Sequence, residues 1–131
     1  MLANSKLQSI IWTCRMAEAE TFYRDVLGLR LRTKSDGALV FNVGGADLRV
    51  SPVPTTVPSE HTVLGFAVDD LNHVLTVLEE REVSLERFDR FPHEENGALT
   101  TPDGARVAWF RDPDGNLLSV VEYPARVNTM P

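Results

Sequence analysis

The stretch Trp109-Phe110-Arg111-Asp112-Pro113-Asp114-Gly115-Asn116-Leu117-Leu118-Ser119-Val120-Val121-Glu122 reads as strand, tight turn, strand. Pro113 presets the backbone for the first central position of a turn, and Gly115 takes the left-handed position after it. The flanking residues are aromatic or β-branched, as a hairpin requires. A hairpin by itself says nothing about function, so its meaning depends on partners elsewhere in the chain.

Working outward, Ala105 to Arg111 and Asn116 to Tyr123 are the two arms, and Pro102-Asp103-Gly104 turns the chain back toward a strand at Leu99 to Thr101. Earlier, His61 to Val68 reads as a strand and Asp69 or Asp70 caps a helix whose buried stripe is Leu71, Val74, Leu75 and Leu78. Val83 to Phe88 then reads as a strand, followed by a long loop through Asn96-Gly97. The same order opens the chain. Leu7 to Cys14 is a strand with Gln8, Ile10 and Trp12 on one face and Leu7, Ser9, Ile11 and Thr13 on the other. Apolar residues on both faces predict cover on both sides. Ala17 to Leu27 is a helix, since Ala19, Phe22, Tyr23 and Val26 follow helical spacing and Gly28 stands at its end. Strands at Leu29 to Lys34, Ala38 to Val43 and Asp47 to Ser51 follow, divided by Ser35-Asp36-Gly37 and Gly44-Gly45.

Strand, helix and three strands thus occur twice, offset by about 55 residues. The expected organisation is one domain, 1–131, built of a first module (7–51), a Pro-rich linker (52–60) and a second module (61–123). The tail from Pro124 to Pro131 is expected to be mobile or to lie against a partner.

Bulk properties narrow the function. A 131-residue chain with 43% hydrophobic residues can bury a real core. Its formal net charge of −6, without a Lys/Arg cluster, argues against a nucleic-acid partner. No apolar stretch approaches the length of a membrane span, and no signal peptide is evident. Cys14 is the only cysteine, so an intrachain disulfide is impossible and a reducing, cytoplasmic setting is expected. A lone cysteine in an apolar strand reads as a small core residue.

The double βαβββ order, with Phe22-Tyr23-Arg24-Asp25-Val26-Leu27-Gly28-Leu29 near the start and Phe110-Arg111-Asp112-Pro113-Asp114-Gly115-Asn116 near the end, resembles the vicinal oxygen chelate superfamily. That group includes glyoxalase I, extradiol dioxygenases and bleomycin-resistance proteins. The resemblance implies an α+β fold: tandem βαβββ modules forming a cupped, half-barrel, eight-stranded mixed sheet, with helices outside, ligand inside and a homodimer completing the cups. It also implies four metal-holding positions, filled in the family's enzymes by His or Gln, Glu, His and Glu. Here these positions fall on Gln8, Arg49, Val63 and Ser119. Glutamine is compatible; a guanidinium, an isopropyl group and a neutral hydroxyl are not.

Strand alternation makes Gln8, Trp12, Arg49, His61, Val63, Ser119 and Val121 the expected ligand-binding residues, a mostly apolar lining with a few polar groups. Arg49 is a candidate to hold a carboxylate or phosphate, although pairing with Asp47 or an edge glutamate is the simpler expectation. His61 is a candidate acid or base. Asp112 and Asp114 read as turn formers. The favoured function is binding of a small organic molecule, without the usual metal and with no other cofactor. The alternative is a metal-dependent lyase, isomerase or dioxygenase using Zn, Ni, Mn or Fe on a displaced set such as Gln8 and His61. Glu122 has the wrong strand parity to join that set. A third class is an interaction domain whose cup is plugged by side chains.

Overall fold

The computed structural model describes residues 1–125. The expectation for the tail, Pro124 to Pro131, falls almost wholly outside them. By internal contacts the chain divides into two compact units. Unit 1 comprises Met1–Val63 together with Asp112–Leu117, and unit 2 comprises Leu64–Arg111 with the segment from Leu118 onward.

Unit 1 is built on β1 (Gln8–Thr13), α1 (Met16–Glu20), β2 (Arg30–Ser35), β3 (Ala38–Val43) and β4 (Ala46–Pro52). The strands lie in the order β1-β4-β3-β2. β1 runs parallel to β4, and the β2–β3 and β3–β4 pairs are antiparallel. Asp36 and Gly37 both have positive φ (52° and 78°), as do Gly44 and Gly45 (57° and 88°). Two consecutive left-handed residues make the type I′ turn whose twist suits a hairpin, so each short turn sets its own strand pairing. Ile11, Leu39, Phe41, Leu48 and Val50 are buried in this sheet, with Ala19 and Tyr23 from the helical segment. The Tyr23 and Phe41 rings lie 6.1 Å apart.

The helix predicted over 17–27 is not uniform. α1 gives way to a π-helical stretch over Thr21–Val26. A π-turn inserts one residue into the helical ladder and leaves the apolar spacing nearly unchanged, so periodicity does not reveal it.

Unit 2 carries β5 (Thr62–Ala67, whose first two residues belong to unit 1), α2 (Leu71–Glu80), β6 (Leu85–Glu86), β7 (Leu99–Thr100), β8 (Arg106–Arg111) and β9 (Leu117–Glu122). The sheet order is β5-β9-β8-β6, with β7 on β8. Asp70 caps α2 by accepting from the His73 N–H, and Leu71, Leu75 and Leu78 are its buried stripe. The strand expected over 83–88 shrinks to Leu85–Glu86. The Phe88 N–H goes instead to His93 Nε2 (3.0 Å), and Arg87 donates to the Glu94 and Glu95 carbonyls, so this loop bonds to itself rather than to the sheet.

The fold class is α+β, with two mixed sheets of four and five strands; β7 is the strand beyond the eight of the tandem pattern. Two local expectations are corrected. Cys14 follows β1 and is exposed rather than buried. β1 is covered on one face only: Ile11 and Thr13 are buried at 3% and 1%, whereas Ile10 and Trp12 remain 54% and 62% exposed.

Candidate functional site

The turn at Asp112–Asn116 fixes the end of β1. Asp112 and Asp114 are each only 6% exposed. Burying two carboxylates is costly unless their oxygens are fully engaged, and here they are. Asp112 accepts from the Tyr23 hydroxyl (2.6 Å), the Asp114 N–H (2.9 Å), the Asn116 N–H (2.9 Å) and Asn116 Nδ2 (2.8 Å). Asp114 accepts from the Thr13 hydroxyl, the Cys14 N–H (2.9 Å) and the Thr56 hydroxyl (2.7 Å). Burial pushes the Asp114 carboxyl up, but the hydrogen bonds from Thr13, Cys14 and Thr56 outweigh it and hold the group below the usual carboxylate range. Burial, joined by the charge of Asp112, drives the Tyr23 phenol far above its ordinary value. Asn116 Nδ2 also donates to the Trp12 carbonyl (3.2 Å). These aspartates therefore form the turn, as expected, and in addition clamp β1 so that Trp12 is held at its backbone.

Register then assembles the open face of unit 1. Gln8 stands opposite Asp47 and Ile10 opposite Arg49, with Trp12 one step further opposite Ser51. On the other side of β4, Arg49 faces Val40 and Asp47 faces Asn42. The expected pairing of Arg49 with Asp47 or an edge glutamate does not form among the described residues. Asp47 is taken by Arg32, whose Nη2 lies 2.9 Å from its Oδ2. Arg32 sits at the register shift between Leu31 and Thr33, and that irregularity has no signature in the sequence. Arg49, half-buried, makes a single 3.4 Å contact to the Ser35 carbonyl and is left without a carboxylate among the described residues. The Trp12 indole likewise has no partner among them.

In unit 2, Glu122 accepts from the Leu71 N–H at the start of α2 (2.9 Å) and Arg106 reaches Asn72 on the same helix (2.9 Å). Alternation consequently places Ser119 and Val121 on the opposite face of β9. A Cβ at Gly65 would lie 2.9 Å from Ser119 Oγ, so the glycine is what makes room for the hydroxyl. Val63 is exposed on β5 and His61 is exposed just before it. His93, which composition alone leaves as a solvated loop residue, uses both ring nitrogens: Nε2 accepts from Phe88 and Nδ1 lies 2.8 Å from the Gly97 carbonyl, which assigns the Nδ1–H tautomer. A cavity of about 520 Å³ lies beside α2, with Asn72, Glu79, Glu82, Arg87 and Glu95 in its wall. Its Asn72 and Arg87 are already engaged with neighbouring groups.

The family profile described as Glyoxalase/Bleomycin resistance protein/Dioxygenase superfamily matches residues 6–120. The chain belongs to that superfamily. Solved structures share the fold. Lactoylglutathione lyase from Agrobacterium tumefaciens is 22% identical with a TM-score of 0.71, over 91% of this chain and 93% of the other. TnmS3, an antibiotic binding protein from Streptomyces sp. CB03234, is 23% identical with a TM-score of 0.71, over 95% and 99%. A glyoxalase/bleomycin resistance protein/dioxygenase from Alicyclobacillus acidocaldarius is 17% identical with a TM-score of 0.66, over 93% of each. None of the curated proteins matches the chain. At these identities the likeness speaks for the fold alone, and a lyase and a binding protein sit equally close to it.

The metal set that superfamily resemblance implies does not fit this chain's residues. Of the four positions only Gln8 offers a donor of the expected kind; Arg49 is a cation, Val63 has no donor atom, and Ser119 offers a neutral hydroxyl. Among the described residues no group of three or more His, Cys, Asp and Glu side chains is arranged to share an ion.

Proposed function

We propose that this superfamily member binds a small organic molecule and does so without the family's usual divalent metal. The observation that carries the reading is the open face of unit 1, where Ile10 and Trp12 stay 54% and 62% exposed on a strand whose other face is core. Holding an indole at its backbone while leaving the ring bare keeps apolar surface in water, a cost that a bound ligand removes. Val63, Ser119 and Arg49, standing where imidazole and carboxylates belong, support the metal-free half of the proposal. Gln8, Trp12 and Arg49 are the contact residues proposed on that face. A homodimer in the cytoplasm completes the proposal, its oligomeric state open to sedimentation velocity.

A thermal-shift screen tests the function directly. Organic compounds should raise Tm, by as much as about 2.7 kcal/mol of added stability at a hundredfold excess over Kd. Ni²⁺, Mn²⁺, Zn²⁺ and Fe²⁺ should not. A stoichiometric metal in the purified protein that is lost on Gln8→Ala would overturn the proposal in favour of a metal-dependent lyase, isomerase or dioxygenase.

A further inference from the structure

Unit 1 offers more than an apolar surface. Arg49 lies between Ile10 and Val40 across three adjacent strands, and among the described residues its guanidinium meets only the Ser35 carbonyl at 3.4 Å. Its neighbouring carboxylate, Asp47, is already neutralised by Arg32 at 2.9 Å. Among the described residues no carboxylate pairs with the half-buried cation, which is therefore available to an incoming anion. A guanidinium presents a planar fork of donors that matches a carboxylate with two parallel hydrogen bonds. Trp12 occupies the next position along the same face, diagonal to Arg49 across the parallel β1–β4 pair, so one ligand carrying a ring and a charged end can meet both. Its indole is exposed and offers an aromatic surface for stacking.

We infer that the ligand is a planar aromatic carboxylate, its anion on Arg49 and its ring against Trp12. The assignment rests on the small-molecule binding proposed above and names the chemical class at that site. Gln8 and Asn42, both on the row that includes Asp47, are amides suited to a polar substituent on the ring. Charge selects the ligand, because an uncharged ring alone would leave the Arg49 guanidinium partly desolvated and unpaired.

The test is isothermal titration calorimetry of the full chain with 2-naphthoate and its uncharged isostere, 2-naphthamide. The naphthoate should bind at least tenfold more tightly. Arg49→Gln should remove that preference while keeping the weaker amide affinity, and Arg49→Lys should restore part of it. Trp12→Ala should weaken both probes together. Circular dichroism of each variant confirms that the strand is intact, and ligand quenching of Trp12 fluorescence in Trp109→Phe protein gives a second readout that needs no change at Arg49. Equal affinity for the two probes overturns the carboxylate assignment and leaves small-molecule binding standing. Failure of the unsubstituted chain to bind either probe also overturns it, while the metal titration decides the broader reading separately.

Discussion

Tyr23 and Asp112 stand 89 residues apart in the chain and are joined by a 2.6 Å hydrogen bond inside the core. A neutral phenol donating to a buried carboxylate is a charge-assisted bond, and removing its donor should cost about 1.5–3 kcal/mol. Tyr23→Phe is therefore expected to lower the urea midpoint without altering the slope. The pH dependence has a definite sign. The folded state raises the Tyr23 value far above the ordinary phenol range, so its stabilisation is complete below about pH 10 and is lost as pH rises beyond it. Tyr23→Phe should flatten that alkaline loss. Asp114 behaves oppositely. Its value is depressed, so its contribution is complete above the ordinary carboxylate value of about 3.9 and is lost as pH falls through the folded value. Asp114→Asn should cost about 1.5–3 kcal/mol at neutral pH and leave a shallower acid limb in stability measured between pH 5 and pH 2. An unchanged acid limb would contradict the hydrogen-bonded clamp on β1.

At the scale of elements, two glycines separate backbone strain from packing. Gly28 and Gly115 both have positive φ (71° and 83°). An alanine at Gly28 would meet nothing within 4 Å, whereas one at Gly115 would lie 3.0–3.1 Å from Pro58, including its Cα. Gly28→Ala should cost about 1–2 kcal/mol from backbone conformation alone. Gly115→Ala should cost a further 1–3 kcal/mol, roughly, because Pro58 belongs to the segment bonded to the turn and has little room to yield. That segment is tied down: the Ser59 N–H donates to the Gly115 carbonyl (3.1 Å) and the Ser59 hydroxyl accepts from the Leu117 N–H (2.7 Å). Denaturation of the two variants side by side measures the difference. The same elements mark what was legible in the sequence. Turn chemistry and strand alternation were local signals, so the Asp36-Gly37 and Gly44-Gly45 hairpins, a cap at Asp69 or Asp70 and the Gln8–Ile10–Trp12 face could be read directly. The π-turn hid inside a helical spacing. The Arg32–Asp47 pair depends on a register irregularity, and Tyr23–Asp112 on tertiary approach. Neither has a local signature, and because Arg32 takes Asp47, Arg49 is left without a carboxylate among the described residues.

For the whole molecule, connectivity sets the expectation. Unit 1 needs Asp112–Leu117 for its buried carboxylates, and those residues are covalently strung between β8, in unit 2, and β9, which from Leu118 belongs to unit 2 as well. Losing the β8–β9 arms would release the turn that engages Tyr23, Thr13, Cys14 and Thr56, so unit 1 loses its clamp when the strands that carry the turn are lost. The chain carries a natural pair of probes: Trp12 in unit 1 and Trp109 in unit 2, the latter 5.2 Å from the Phe88 ring. Trp12→Phe leaves Trp109 to report on unit 2, and Trp109→Phe leaves Trp12 to report on unit 1. Relative to the matching backgrounds, urea unfolding followed by either remaining tryptophan and by far-ultraviolet circular dichroism should trace one coincident transition. Adding Tyr23→Phe should shift the Trp109 signal by the same free energy as the circular dichroism, although Tyr23 lies in unit 1. A Trp109 transition that stays in place while the other moves would show that the turn does not couple the two units energetically.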